Sequence, residues 1–141
     1  DDPDGLNHRS VFYCAQSFMD YGMMKEALQW NSLYLKLKDT WIEERFEAQM
    51  RVAKCLAYLN YPVEQVVAEM DKAIKYIEKS EQTIPQEYWL DLSESEKTRY
   101  VTMMREARNH LTKEGYYDER MMNLMKKVRC KITPTDSECG A

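Results

Sequence analysis

Residues 12–30, which read FYCAQSFMDYGMMKEALQW, constrain the fold of this chain more than any other stretch. Small and aromatic residues recur at helical spacing on both sides of Gly22, with Ala15 and Phe18 before it and Ala27 after it. Glycine tolerates the left-handed conformation that commonly ends a helix, so Gly22 is expected to close the first of two helices. The stretch therefore predicts a helix-turn-helix unit, and it contains no obvious nucleophile, metal cage or phosphate-binding loop.

The composition suits one helical domain, which we place at residues 1–132, followed by a flexible polar tail at residues 133–141. Of the 141 residues 44% are hydrophobic and 31% are charged, with only four glycines and four prolines. So few turn-forming residues argue against a β-sandwich or a disordered chain. The net charge of −4 gives no general reason to bind nucleic acid. No apolar run approaches the roughly 20 residues that span a bilayer, so no membrane span is expected.

Apolar residues at three- and four-residue spacing predict six helices. These helices are expected to begin near Asn7, Met23, Thr40, Pro62, Ser93 and Asp118, and Gly115 is expected to end the fifth. Two of the starts are predicted capping boxes, Thr40 with Glu43 and Ser93 with Glu96, in which the two side chains satisfy backbone amides of the first turn. The sequence thus predicts an all-α fold, with about six helices in three antiparallel pairs.

An internal repeat favours stacking of these pairs over a closed bundle. Residues 15–18 resemble residues 53–56, a spacing of 38 positions (15 to 53), and each is followed by a break, at Gly22 and Asn60. Tetratricopeptide repeats have a similar period of about 34 residues. We therefore predict a tetratricopeptide-like right-handed stack with a divergent third pair.

The cysteines and histidines give no sign of a metal site. The four cysteines form no CxxC pair, and the two histidines lie far from them in sequence. Cys14 and Cys55 fall within apolar helical patterns, so they are expected to be buried free thiols. This usage favours a reducing compartment, and we predict a cytoplasmic chain without a metal or cofactor.

The concave surface of the stack is the predicted binding site, because the first helix of each pair lines the inner face of such stacks. The residues expected there are Arg9, Phe12, Gln16 and Met19 from the first helix and Glu47, Met50 and Lys54 from the third. They would offer a protein or peptide segment both polar and apolar contacts. No catalytic residue is predicted, because no acid, base and nucleophile come together in the sequence.

Methionines and basic residues form two further groups. The ten methionines are expected mainly in the core, although their adjacent pairs leave an exposed, pliable groove as an alternative. A solvated face that opposes the helix dipole is expected for the cations of the sixth helix, namely Arg120, Lys126, Lys127, Arg129 and Lys131.

The segment 2–30 resembles the helical-repeat region that follows the catalytic domain in certain family 2 glycosyltransferases, and the likeness continues to about Ile77. The matching residues are Asp2, Pro3, Asp4, Phe12, Tyr13, Ala15, Gln16, Ser17, Asp20, Gly22, Glu26, Ala27, Leu28 and Trp30. The resemblance implies a non-catalytic accessory domain that dimerises, positions an acceptor or recruits a partner, with a nucleotide-sugar-dependent catalytic domain encoded before Asp1. The alternative is a free-standing tetratricopeptide-like adaptor that binds a peptide.

Overall fold

The computed structural model describes residues 7–38, 40–83, 93–114 and 119–132, together with Cys139. The six helices are α1 (His8–Asp20), α2 (Met24–Lys36), α3 (Ile42–Tyr58), α4 (Val63–Thr83), α5 (Glu94–Glu114) and α6 (Glu119–Ile132). This part of the chain contains no β-strand, so the all-α class and the six helices are confirmed. Each helix packs against the next one along the chain. The tetratricopeptide-like handedness of the stack stays a prediction.

Some predictions fall on residues outside these ranges. They concern the matching residues Asp2, Pro3 and Asp4, the end of the fifth helix at Gly115, the helix start at Asp118 and all of the polar tail except Cys139. None of the six helices, within the residues just given, is long and apolar enough to cross a membrane.

Helices α1 and α3 end in the same way, as the internal repeat predicts. Gly22 follows α1 with φ 74°, and Asn60 follows α3 with φ 62°, so both residues adopt the left-handed conformation. In each case the amide of the next residue donates to a carbonyl oxygen five residues earlier, over 2.8 Å after α1 and 2.9 Å after α3. This pairing defines the Schellman motif, which satisfies carbonyl groups that the helix end leaves without partners. The chain therefore turns sharply after both helices.

Replacing Gly22 by alanine is expected to lower the free energy of unfolding by about 1 kcal/mol, because a Cβ atom disfavours positive φ. A Cβ atom at this position would meet no other atom within 4 Å, so the loss reports backbone strain alone. Urea denaturation measures this loss in the free energy of unfolding. Asn60→Gly is the opposite control and is expected to leave stability unchanged or slightly higher. Equal stability of the Gly22→Ala variant and the parent chain would contradict the left-handed conformation assigned to Gly22.

The two predicted capping boxes have different outcomes. At the start of α5 the box is confirmed, because the Ser93 amide donates to Glu96 Oε1 over 3.3 Å and the Glu96 amide donates to Ser93 Oγ over 3.2 Å. The bond from the Ser93 amide also lowers the pKa of the Glu96 carboxyl. The predicted capping box at Thr40 is wrong, because the N-cap residue of α3 is Trp41 and no side chain caps this helix. Thr40 Oγ1 instead accepts a hydrogen bond from the Arg45 guanidinium over 2.9 Å.

Helix α3 lies at the centre of the protein and belongs to two groups of buried apolar side chains. The smaller group joins α1, α2 and α3 through Val11, Phe12, Tyr34, Leu37 and Ala48. The larger group joins α3 to α4, α5 and α6, and Phe46, Met70, Met104 and Val128 are among its members. Twelve of the 17 residues of α3 are buried, including Glu44, Glu47 and Arg51. Because buried charges need partners, these side chains are expected to form organised polar contacts.

The two free cysteines differ in exposure. Cys55 is buried, as predicted, and burial raises the pKa of its thiol to about 11. Cys14 is exposed, so the prediction of burial is wrong for this residue. The buried stripe of α1 runs through Val11, Phe12 and Ala15, and Cys14 lies beside that stripe.

The other two cysteines form a disulfide. Cys130, in the last turn of α6, is bonded to Cys139, nine positions further along the chain. Cysteine spacing alone does not determine such a pairing. The bond ties Cys139 back to the end of α6, next to Arg129.

Candidate functional site

A pocket opens where α1, α3 and α6 meet. It is an open cleft, continuous with solvent, and not a sealed cavity. Its lining consists of Gln16, Met19 and Asp20 from α1, Glu47, Met50, Arg51 and Lys54 from α3, and Met122, Met125 and Arg129 from α6. Four methionines, three cations and two acids thus share one small surface. Ligand sites typically combine a mainly apolar wall with a few convergent polar groups, as this cleft does.

The cleft brings together five of the seven residues expected on the concave surface. These are Gln16, Met19, Glu47, Met50 and Lys54. They converge because residues three or four apart share a helix face, and the two helices present these faces to the same space. Their role in binding stays a prediction. Among the residues with a described structure, no group of three or more His, Cys, Asp or Glu side chains is arranged to hold a metal ion.

The polar contacts of the pocket centre on the carboxylate of Glu47. Its Oε2 atom lies 3.3 Å from Nε of Arg51 and 3.3 Å from Nε of Arg129. All three residues are buried, with exposures of 2% for Glu47, 4% for Arg51 and 7% for Arg129. Arg51 also donates to the backbone carbonyl of Phe12 over 3.3 Å, and its guanidinium lies 4.3 Å from the centre of the Phe12 ring. This cluster therefore connects α1, α3 and α6 through charged contacts in a water-poor environment.

Sequence reasoning missed half of the pocket. Lys126, Lys127 and Lys131 are exposed, as predicted, but the solvated position predicted for Arg129 is wrong, because it packs against the acid on α3. The Arg120 side chain lies outside the described part. The other missed lining residues are Asp20, Arg51, Met122 and Met125. One available signal was the four-residue spacing of an acid and an arginine within α3, which favours an ion pair on a helix.

Arg9 and Phe12 lie outside the pocket. The Arg9 guanidinium lies 4.2 Å from the centre of a ring of Trp41 and donates to the hydroxyl of Tyr13 over 2.9 Å. Phe12 belongs to the smaller apolar group, with its ring centre 5.4 Å from that of Tyr34. These contacts join α1 to the neighbouring helices, and a binding role for the two residues stays a prediction.

A second buried carboxylate, that of Glu44, organises the start of α3. Tyr34 donates its hydroxyl to Glu44 Oε1 over 2.6 Å. The same carboxylate lies 3.6 Å from Nδ1 of His8 and 3.5 Å from Nη1 of Arg9. Burial and the hydrogen bond to this acid raise the pKa of Tyr34. The hydroxyl therefore stays protonated and serves as a donor that fixes α2 against α3.

The second part of the chain matches a known protein family. Residues 53–141, from the second half of α3 onward, match the sequence profile of a family of solute-binding proteins. The chain belongs to this family, which is described as solute-binding protein AdeT 1/2.

Two relatives from Acinetobacter baumannii support the assignment. The chain is 47% identical over 75 residues to the probable solute-binding protein AdeT1 and 41% identical over 59 residues to the probable solute-binding protein AdeT2. The alignments cover 53% and 42% of the chain, and 25% of each relative. The chain thus spans about a quarter of the length of the curated relatives it matches. No solved structure matches it.

Family membership overturns the functional interpretation of the sequence. The likeness to a glycosyltransferase accessory region is wrong, and so is the alternative of a tetratricopeptide-like peptide adaptor, because the matching family is one of solute-binding proteins. The misleading residues are mainly the small and aromatic positions of segment 2–30, which lies outside the matched range. Helical hairpins of many kinds need small and aromatic residues for close packing. These residues therefore indicate the fold and do not identify the function. A predicted protein or peptide partner likewise has no support from this family.

Proposed function

We propose that the chain forms a helical part of a solute-binding protein and that the pocket between α1, α3 and α6 contacts the solute. The observation that carries this proposal is the convergence of the buried Arg51–Glu47–Arg129 cluster with a wall of methionine side chains. The charged cluster provides fixed polar contacts, while the flexible thioether side chains adapt to the shape of a small molecule. Family membership supports the same function, and the α6 side of the pocket lies within the matched range.

The disulfide supports an oxidising compartment for this function, in place of the predicted cytoplasm. Disulfides persist in the periplasm and outside the cell, whereas cytosolic thiols are kept reduced. The bond between Cys130 and Cys139 follows directly after Arg129 in the sequence. An oxidising compartment would therefore keep the end of α6 covalently tied beside the pocket.

Nuclear magnetic resonance of methyl-labelled methionine tests the proposed site directly. Purified protein is screened against amino acids, organic acids, sugars and polyamines, and a solute that binds is expected to shift the methyl resonances of Met19, Met50, Met122 and Met125. The methyl resonances of Met70 and Met104, which are core residues of α4 and α5 that do not line the pocket, are the internal controls. A solute that shifts only resonances distant from the pocket would place the site elsewhere.

A further inference from the structure

We propose that the methionine side chains that line the cleft form a binding site for a soft monovalent metal ion, Cu(I), a role that goes beyond contact with an organic solute. The four residues are Met19 from α1, Met50 from α3, and Met122 and Met125 from α6. Thioether sulfur is a soft ligand that suits Cu(I), whereas Mg²⁺ and Ca²⁺ are bound by oxygen. Three helices therefore supply the same kind of soft ligand to one small space.

The α6 part of this site comes from a pair of methionines at a spacing that brings side chains to one helix face. Met122 and Met125 consequently face the cleft together. Met19 and Met50 line the same cleft from α1 and α3. A methionine side chain is unbranched and flexible, so its sulfur adjusts to a ligand position more easily than a branched side chain does. Rotation about side-chain bonds, with the helices in place, is therefore the adjustment that an ion requires.

The burial of the four methionines suits the capture of an ion from solvent. Met50 and Met125 are 2% and 4% exposed, whereas Met19 and Met122 are half-buried. The cleft itself is continuous with solvent. An ion that enters from water would exchange its hydration shell for sulfur in a water-poor part of the cleft. A soft ion gains most from this exchange, while Mg²⁺ gives up its water reluctantly.

The acids of the lining are poorly suited to a hard metal ion. These acids are Asp20 and Glu47, and Oε2 of Glu47 already lies 3.3 Å from Nε of Arg51 and of Arg129. Within the described ranges, no cluster of three or more His, Cys, Asp or Glu side chains is placed to hold a metal ion. Cu(I) carries a single positive charge, so it meets less repulsion from basic side chains than a divalent ion would. The ligand set thus favours a soft, monovalent ion.

The compartment that the disulfide supports favours thioether ligands over thiols. Thiols there are readily oxidised to disulfides, as Cys130 and Cys139 are. A thioether has no S–H group and forms no disulfide, so a methionine remains available as a ligand where a pair of cysteines does not.

The test titrates Cu(I), kept reduced by ascorbate under nitrogen, into the purified Cys14→Ser protein. Cys14 is an exposed free thiol outside the cleft, so its removal eliminates a competing soft ligand. Cys55 is buried, and burial raises the pKa of its thiol to about 11, which keeps it protonated. The chromogenic chelator bicinchoninate competes for the ion. The protein is expected to withdraw about one equivalent of Cu(I) from the chelator, and the ion is expected to shift the methyl resonances of the four cleft methionines.

Leucine variants test the sulfur ligands directly. Replacement of methionine by leucine removes the sulfur and keeps nearly the same volume. Met19→Leu combined with Met122→Leu changes the two half-buried positions and is expected to weaken Cu(I) binding by at least about tenfold, because both sulfurs are lost. Met50→Leu combined with Met125→Leu is expected to cause a similar loss at the buried positions.

Met70→Leu combined with Met104→Leu is the matched control, because it removes the same number of sulfurs from the core of α4 and α5. Its affinity for Cu(I) is expected to equal that of the parent protein. Far-UV circular dichroism and the melting temperature establish that each variant is folded. If the pair of buried replacements in the cleft prevents folding, the pair of half-buried replacements still decides the result.

Three results would overturn the inference. They are the absence of Cu(I) transfer from the chelator, equal Cu(I) affinity of the parent protein and the variants of the cleft, and binding of Zn²⁺ as tightly as Cu(I). An organic solute that shifts the methyl resonances of the cleft while Cu(I) does not would overturn this inference alone. If Cu(I) bound as expected and every organic solute shifted only distant resonances, the organic solute site alone would be overturned.

Discussion

Replacing Glu47 by glutamine is expected to lower the free energy of unfolding by about 3 kcal/mol, because it removes one charge of a buried ion cluster and keeps the others. The glutamine has nearly the same volume, so a packing defect contributes little. The guanidinium groups of Arg51 and Arg129 would remain buried around an uncharged side chain. Urea denaturation followed by circular dichroism, with the slope of the transition held constant, measures the change.

Two further variants identify the cause of that loss. Glu64→Gln removes an exposed acid of α4 and is expected to change stability by less than about 0.5 kcal/mol. The double variant Glu47→Met with Arg129→Met removes the acid together with one of its arginines, so it is expected to be more stable than Glu47→Gln alone. If Glu47→Gln left the unfolding curve unchanged, the carboxylate would not be the centre of the cluster.

Replacing Tyr34 by phenylalanine is expected to lower the free energy of unfolding by about 2 kcal/mol. The change deletes the donor of the 2.6 Å hydrogen bond to Glu44 and leaves the ring in place. Loss of one partner from a buried charged group costs roughly 1.5–3 kcal/mol, since the desolvated acceptor is no longer compensated. The melting temperature and the urea midpoint are both expected to fall.

Tyr58→Phe is the matched control for this second prediction. Tyr58 is 54% exposed at the end of α3, so deletion of its hydroxyl is expected to have little effect. Similar losses in the two tyrosine variants would show that the hydroxyl of Tyr34 has no special role at the start of α3.

Local sequence patterns predicted most of the fold, because helix periodicity and end signals act over a few residues. Gly22, Asn60 and the Ser93–Glu96 box all have the predicted role. The Thr40 box failed because a side chain five residues along the sequence, that of Arg45, competes for the Thr40 hydroxyl. The propensity of a residue to cap a helix therefore does not decide which hydrogen bond it makes.

The site was predictable only where one helix face determines it. The spacing of Gln16 and Met19, and of Glu47, Met50 and Lys54, places each set on one side of its helix. The contribution of α6 depends on how a helix distant in sequence packs against α3, which periodicity does not specify. Arg129 consequently has the sequence features of a surface cation, although its acid partner lies on α3.

The central position of α3 limits which substitutions this chain can tolerate independently of one another. The two buried acids of α3 contact side chains on α1, α2 and α6, so mutations at either acid and at its partners are expected to have non-additive effects on the free energy of unfolding. We expect loss of the acid at position 47 to destabilise the protein less when a cation at position 51 or 129 is removed with it. Among the side chains that the structure describes, α3 has the fewest exposed positions, so the effects of its substitutions are expected to depend strongly on residues of other helices.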